Sequence, residues 1–192
     1  MKKYSISMLS ALLAFASPTL SNAQDADTDE SRAVAVQLMQ QLAAELKKEL
    51  SINGPVAAMA VCQQIAPENA QKISIAKGWR VTRVSLKTRN PLLGTPDAWE
   101  QSSLMDFDRR AAAGEALDKM ERAEIVTEPA GRYFRYLKAL PVQPLCLSCH
   151  GGAEQIADEV KAALKEKYPH DQAIGYSAGQ VRGAISIKHL AR

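Results

Sequence analysis

Three side chains able to bind metals or add to double bonds, Cys146, Cys149 and His150, fall within one pentapeptide, Cys146-Leu147-Ser148-Cys149-His150. Two thiols separated by two residues suit the two vinyl groups of a single porphyrin, and the histidine that follows is then held under the iron. The spacing reads first as a covalent attachment site for one c-type haem, with His150 as proximal axial ligand. A redox dithiol, a disulfide and half of a zinc site use the same atoms. The pentapeptide alone leaves those alternatives open.

Outside it the chain carries one further cysteine, Cys62, and two further histidines, His170 and His189. An unpaired thiol in an oxidising compartment is a liability unless it is buried, pairs between chains or binds a metal. An inert buried cysteine is the ordinary reading of Cys62, but a haem with an open axial position would find a strong ligand in its thiolate. Met59, one helical turn earlier, and the two histidines are reserve candidates for that position, the histidines being expected on the surface or in loops. Zinc on Cys146, Cys149, His150 and Cys62 has an acceptable number of donors. Arg83, Lys87 and Arg89 cluster around a turn-rich loop and are candidates to meet two haem propionates, since guanidinium and carboxylate pair well. A solvated charged face has the same spacing.

The elements that must position these residues begin with an export segment. Residues 1–23 read as a signal peptide: Lys2 and Lys3 form a positive start, residues 6–15 an apolar core, and Ser21-Asn22-Ala23 a cleavage site. An uncleaved anchor is the weaker alternative, because Ser10 and Pro18 interrupt the run well short of the roughly 20 apolar residues a span needs. The mature protein is expected in the periplasm, on the side of the membrane where c-type haem is attached. Loss of Lys2 and Lys3 takes the net charge from +3 to +1, which gives no electrostatic case for nucleic acid or anionic lipid. Residues 24–30 read as a flexible acidic lead-in and residues 31–192 as one domain.

Within that domain Val34, Leu38, Leu42, Leu46 and Leu50 recur every four residues, so residues 31–50 predict an amphipathic helix whose stripe serves packing or a homodimer face. Asn53-Gly54-Pro55 ends it. Residues 56–65 form a helix of small residues bearing Cys62, and residues 68–77 a helix stopped by Gly78. Residues 79–87 alternate as a strand, with Trp79, Val81, Arg83, Ser85 and Lys87 on one face. Asp97 predicts the cap of a helix to about residue 113. Residues 124–127 and 133–140 read as an antiparallel pair, residues 153–167 as a charged helix, residues 168–180 as a loop and residues 181–189 as a last strand. Helices flanking one antiparallel sheet make an α+β domain.

The blocks Val61-Cys62, Ala66-Pro67, Gly78-Trp79-Arg80-Val81-Thr82-Arg83-Val84-Ser85-Leu86-Lys87-Thr88-Arg89-Asn90-Pro91, Pro96-Asp97-Ala98-Trp99-Glu100, the pentapeptide with Gly151, Tyr168-Pro169, Asp171 with Ala173 and Gly175-Tyr176, and Arg182-Gly183-Ala184-Ile185-Ser186 together resemble a family of exported monohaem c-type cytochromes with a PAS-like fold, long catalogued as a domain of unknown function. The same domain also forms the sensory part of membrane signalling proteins. The resemblance implies a haem lying against the sheet, His150 as proximal and Cys62 as distal ligand, and haem surroundings shaped by Arg83, Lys87, Arg89 and Asn90. Leu92-Leu93-Gly94-Thr95 departs from the family's spacer before Pro-Asp, being longer and less polar.

Two function classes follow. An iron with both axial positions filled by His150 and Cys62 suits electron transfer with a partner protein, or redox sensing. A distal thiolate displaced on reduction suits a sensor of gases or other small ligands. A peroxidase would need a distal acid-base residue beside an open iron, and the sequence offers no nucleophile-base constellation and no phosphate loop, so no enzyme is expected.

Overall fold

The computed structural model describes residues 19–191. The n-region and apolar core of the expected signal peptide lie outside them. Among the described residues no helix is long and apolar enough to cross a membrane.

Helix α1 (Thr19–Ala60) runs past a break at Gly54, whose φ of 78° is left-handed and which Pro55 follows. Helix α2 (Ala66–Lys77) ends on Gly78, also left-handed at φ 67°. Strand β1 (Arg80–Val84) leads through the helical turn α3 (Pro91–Gly94) to helix α4 (Ala98–Ala112). Strands β2 (Glu121–Glu128) and β3 (Gly131–Pro141) form a hairpin, after which come the single turn α5 (Leu147–His150), helix α6 (Asp158–Lys167) and strand β4 (Val181–Leu190). The four strands make one antiparallel sheet in the order β1-β4-β3-β2. The domain is α+β, a sheet flanked by helices with a long N-terminal helix, as the residue pattern requires.

The alternation of side chains splits the sheet into two apolar faces. Val81, Ile185, Ile187, Phe134 and Tyr136 point one way, against Val34, Ala35 and Leu38 of α1. Val84, Ala184, Leu137 and Ala139 point the other way, against Leu104 and Phe107 of α4. Phe107, Phe134, Tyr136 and Leu137 are wholly buried, and each such side chain contributes roughly 1.5–3 kcal/mol. The apolar stripe of α1 thus divides. Its first half packs on the sheet, while Leu42, Leu46 and Leu50 overhang it and line a cavity.

Several expectations are corrected. Residues 25–30 are helical rather than a flexible lead-in, with Asp27 buried; an ion pair of Lys77 with Glu30 at 2.7 Å and one of Arg32 with Glu121 at 2.5 Å tie this end of α1 to the domain. The first strand stops at Val84, because the Ser85 hydroxyl bonds to the backbone of Lys87 and Ser85 N turns to the Gly94 carbonyl. The charged helix starts at Asp158 instead of residue 153: Gln155 folds back to accept from Gly152 N, and Ile156 buries itself beside Met59. His189, expected on the surface, is buried between Trp79 and Phe134 with ring centroids at 4.6 and 5.1 Å.

Candidate functional site

The pentapeptide sits on a tight turn. Pro144 opens a 3-10 turn through Cys146, and Leu147–His150 add one helical turn, so both thiols and the imidazole issue from the same short segment. Gly151 is required where the segment leaves: a Cβ there would lie 2.6 Å from the Leu147 carbonyl oxygen. Loop 168–180 straps the turn down. Tyr176 N donates to the His150 carbonyl at 2.9 Å and Gly175 N to the Gly151 carbonyl at 2.8 Å.

That loop also fixes the imidazole. His150 Nδ1 lies 2.6 Å from the Ala173 carbonyl, which can only accept, so Nδ1 carries the proton and Nε2 presents a lone pair. Asp171 supports this in turn: one carboxylate oxygen accepts from Ala173 N at 2.8 Å and the other from Arg89 Nε at 3.1 Å. Arg89 is a strut. Its Nη2 donates to the Cys149 carbonyl at 2.5 Å and the Ala173 carbonyl at 3.2 Å, tying the turn to the loop. Burial, with the Arg182 and Arg89 charges beside it, pushes the His150 pKa from 6.5 down to about 2. The imidazole is therefore neutral, the form that binds metals.

His150, Cys146 and Cys149 open on a cavity of about 580 Å³, a size typical of a site for a small organic group. Leu42, Leu46 and Leu50 of α1 give it an apolar wall. Cys62 lines it from another element, a π-helical turn, Val61–Ile65, in which Ala66 N reaches back five residues to the Val61 carbonyl. The sequence explains that turn. Pro67 has no N–H for the carbonyl four residues back, so the regular ladder cannot continue through this point, and the chain takes the wider turn that often marks functional sites. Arg83 Nη2 donates to the Cys62 carbonyl at 3.0 Å, linking the turn to β1. None of the three cysteines is in a disulfide. Burial raises the pKa of both Cys146 and Cys149, and the Cys62 sulfur is near enough that charge on it would raise them further.

The residues that could hold a cofactor or metal are thus His150, Cys146, Cys149 and Cys62. They converge on one cavity but do not close around one point: among the described residues no three His, Cys, Asp or Glu side chains are grouped to hold a metal ion. That argues against the tetrahedral zinc site, whose donors must all lie within about 2.3 Å of the metal.

A model of the Tll0287-like family matches residues 21–189. The chain belongs to that family. Among solved structures, the crystal structure of the cyanobacterial heme-protein Tll0287 matches with a TM-score of 0.65 and 26% identity, covering 92% of this chain and 98% of that one. No curated protein sequence matches.

Of the other residues singled out, Arg83, Arg89 and Asn90 line the cavity and Lys87 does not. Lys87 donates to the Ile174 carbonyl at 3.0 Å and lies over the Tyr176 ring. Asn90 uses its Oδ1 to cap α3, accepting from Leu92 N at 3.1 Å. Leu92 in the unusual spacer is 95% exposed. Met59 lines the cavity, packed against the cluster of Ile156, Val160, Leu164 and Tyr168. His170 is exposed and His189 lies in the core, and neither lines it. Asp171, Ala173 and Arg182 act at the site without a role foreseen for them. All three stand in the blocks that carry the family resemblance, but a loop aspartate and a strand arginine have ordinary structural uses, and the blocks alone gave them no role.

Proposed function

We propose that this protein is an exported monohaem c-type cytochrome that works in electron transfer or redox sensing outside the cytoplasm. One haem would be held covalently through Cys146 and Cys149, with His150 on one side of the iron and Cys62 on the other. A single observation carries the reading: a histidine whose Nε2 is the unprotonated ring nitrogen, met only by a long 3.4 Å contact from Arg182, and two adjacent thiols open on the same cavity as a lone cysteine presented by a separate π turn. The likeness to a cyanobacterial heme-protein supports it.

The residues fit the group. The apolar wall from α1 suits a porphyrin face, and the cationic side chains Arg83 and Arg182 offer charge for carboxylates. Haem supplies reversible one-electron exchange between ferric and ferrous iron when bound. The chain's work is to hold His150 in one tautomer through Ala173, to exclude water with Leu42, Leu46 and Leu50, and to present sulfur from Cys62. An anionic sulfur donor stabilises the ferric state and lowers the potential. With both axial positions taken by the chain, the role is electron exchange with a protein partner and not catalytic turnover.

The test is optical and EPR spectroscopy of holoprotein matured with the c-type haem assembly machinery, against Cys62→Ala. The expected result is pigment that resists acid-acetone extraction and a low-spin thiolate signal that Cys62→Ala abolishes. A colourless protein, extractable pigment or a thiolate signal surviving the substitution overturns the reading. Carbon monoxide binding to the ferrous protein would point instead to a small-ligand sensor.

A further inference from the structure

Strand β4 contains an irregularity that the sheet itself does not need. Leu140 of β3 pairs with Gly183, whereas the next residue, Pro141, pairs with Val181, so Arg182 is an extra residue on β4. A bulge of this kind bends the strand and re-aims a side chain. The reversal is visible in the packing. Ile185 and Ile187 face α1, and strict alternation would send Val181 the same way and Arg182 towards α4. Instead Val181 packs in the α4 core, and Arg182 lines the cavity with His150 and Cys62.

The bulge delivers a cation with no anion to meet it. Among the described residues Arg182 makes no ion pair, and Asp171, a carboxylate whose charge acts on it, is already bonded to Arg89. Its Nη1 is anchored by the Ser85 hydroxyl at 2.8 Å and the Lys87 carbonyl at 3.2 Å. Its Nε approaches His150 Nε2 at 3.4 Å, long for a hydrogen bond, and makes no other. Its Nη2 bonds to nothing in the described protein. Arg89, by contrast, is neutralised by Asp171 and committed to two carbonyls, and Lys87 faces away from the cavity. A half-buried guanidinium with spare N–H donors and no counter-ion is a ready partner for a carboxylate that a ligand brings.

Resting on the haem reading above, we propose that Arg182, turned into the cavity by the β4 bulge, is the residue that receives a haem propionate, while Arg89 serves only to brace the attachment turn. The two anchors on Nη1 stay in place, Nε gives up its contact with His150 Nε2, and Nε and Nη2 then form the fork that grips the carboxylate. The same cation next to His150 makes the pocket selective for porphyrins that carry free acid groups.

The test uses the chain with Cys146→Ala and Cys149→Ala, so that binding is reversible, titrated with haemin and with haemin dimethyl ester and read from the Soret band. Haemin is expected to bind at least tenfold tighter than the ester. Arg182→Gln should collapse that preference to within threefold, and Arg182→Lys should restore part of it. Arg89→Gln should weaken both porphyrins alike. Equal binding of haemin and ester by the parent chain, or a preference intact in both Arg182 variants, overturns the assignment while leaving the haem site standing. A parent chain that takes up neither porphyrin overturns the haem reading and the assignment with it. If Arg182→Gln fails to fold by circular dichroism, the parent ratio and Arg182→Lys still decide.

Discussion

Gly183→Ala tests whether the bulge is held by close contact between strands. Gly183 has φ +156°, and a Cβ built on it would lie 2.3 Å from the Val84 carbonyl oxygen and 3.1 Å from Ser85 Cβ. Ordinary contact begins near 3.4 Å, so β1 and β4 would have to part by about 1 Å just where Ser85 anchors Arg182. Backbone strain at such a φ costs of order 1–3 kcal/mol, and overpacking adds a similar amount. The expected loss is about 3 kcal/mol, which for a domain of this size lowers Tm by roughly 6–12 °C. Thermal and urea unfolding followed by circular dichroism measure it. Gly152→Ala is the control, because the Cβ there meets only the free carboxylate end of Glu154, which can swing away. A loss under about 1 kcal/mol for Gly183→Ala, or equal losses for the two variants, refutes the reasoning.

Three further outcomes are expected. Glu100 is wholly buried and touches Arg135 and Arg80, each at 3.3 Å, and the Ser186 hydroxyl at 2.6 Å; Glu100→Gln strands buried Arg135 with Asp97 as its main acid and should cost about 3 kcal/mol in urea unfolding, the lower end for a broken buried pair. Burial alone would raise the Glu121 carboxyl, but hydrogen bonds from Arg32 and Tyr136 and the charges of Arg32 and Lys138 bring it below its ordinary 4.5. Its contribution is present above pH 4.5 and lost as pH falls through the lower folded value; Glu121→Gln should flatten the acid limb of a stability-against-pH curve, and an unchanged slope would contradict this. Asp171→Asn weakens the support of Ala173 and Arg89, and hence of His150, and should lower haemin affinity of the Cys146→Ala/Cys149→Ala chain by about tenfold in the same Soret titration.

The local rules were readable wherever one residue imposes one geometry. Gly78 stops α2, Asp97 and Glu100 make a reciprocal cap at the start of α4, and the four-residue spacing from Val34 to Leu50 gives a helix. The pentapeptide of Cys146, Cys149 and His150 stood out as chemistry because few residue types carry it, whereas Cys62 had an inert buried thiol as its ordinary reading. What stayed hidden depends on pairing between distant segments. The half of the α1 stripe that faces a cavity instead of the sheet can be known only from where the sheet ends. The Arg89 strut spans 60 residues to Cys149 and 82 to Asp171, and no local pattern encodes such a meeting. Arg182 had a faint signal in Gly183, since a glycine inside a strand often marks a bulge, yet residues 181–189 read smoothly as a plain strand.

The π turn and the β4 bulge play the same part on different elements of the site. Each is an irregularity in an otherwise regular element, beside Pro67 in one case and beside Gly183 in the other, and each contributes a side chain to the cavity, Cys62 from the π turn and Arg182 from the bulge. Arg83 connects the two devices: it sits on β1, the strand that packs against Gly183, and donates to the Cys62 carbonyl. The sulfur and the free cation are thereby fixed to the same strand. A change in the β1-β4 spacing must disturb both, so Gly183→Ala is expected to alter the thiolate EPR signal of the holoprotein as well as its stability, although the glycine carries no side chain of its own.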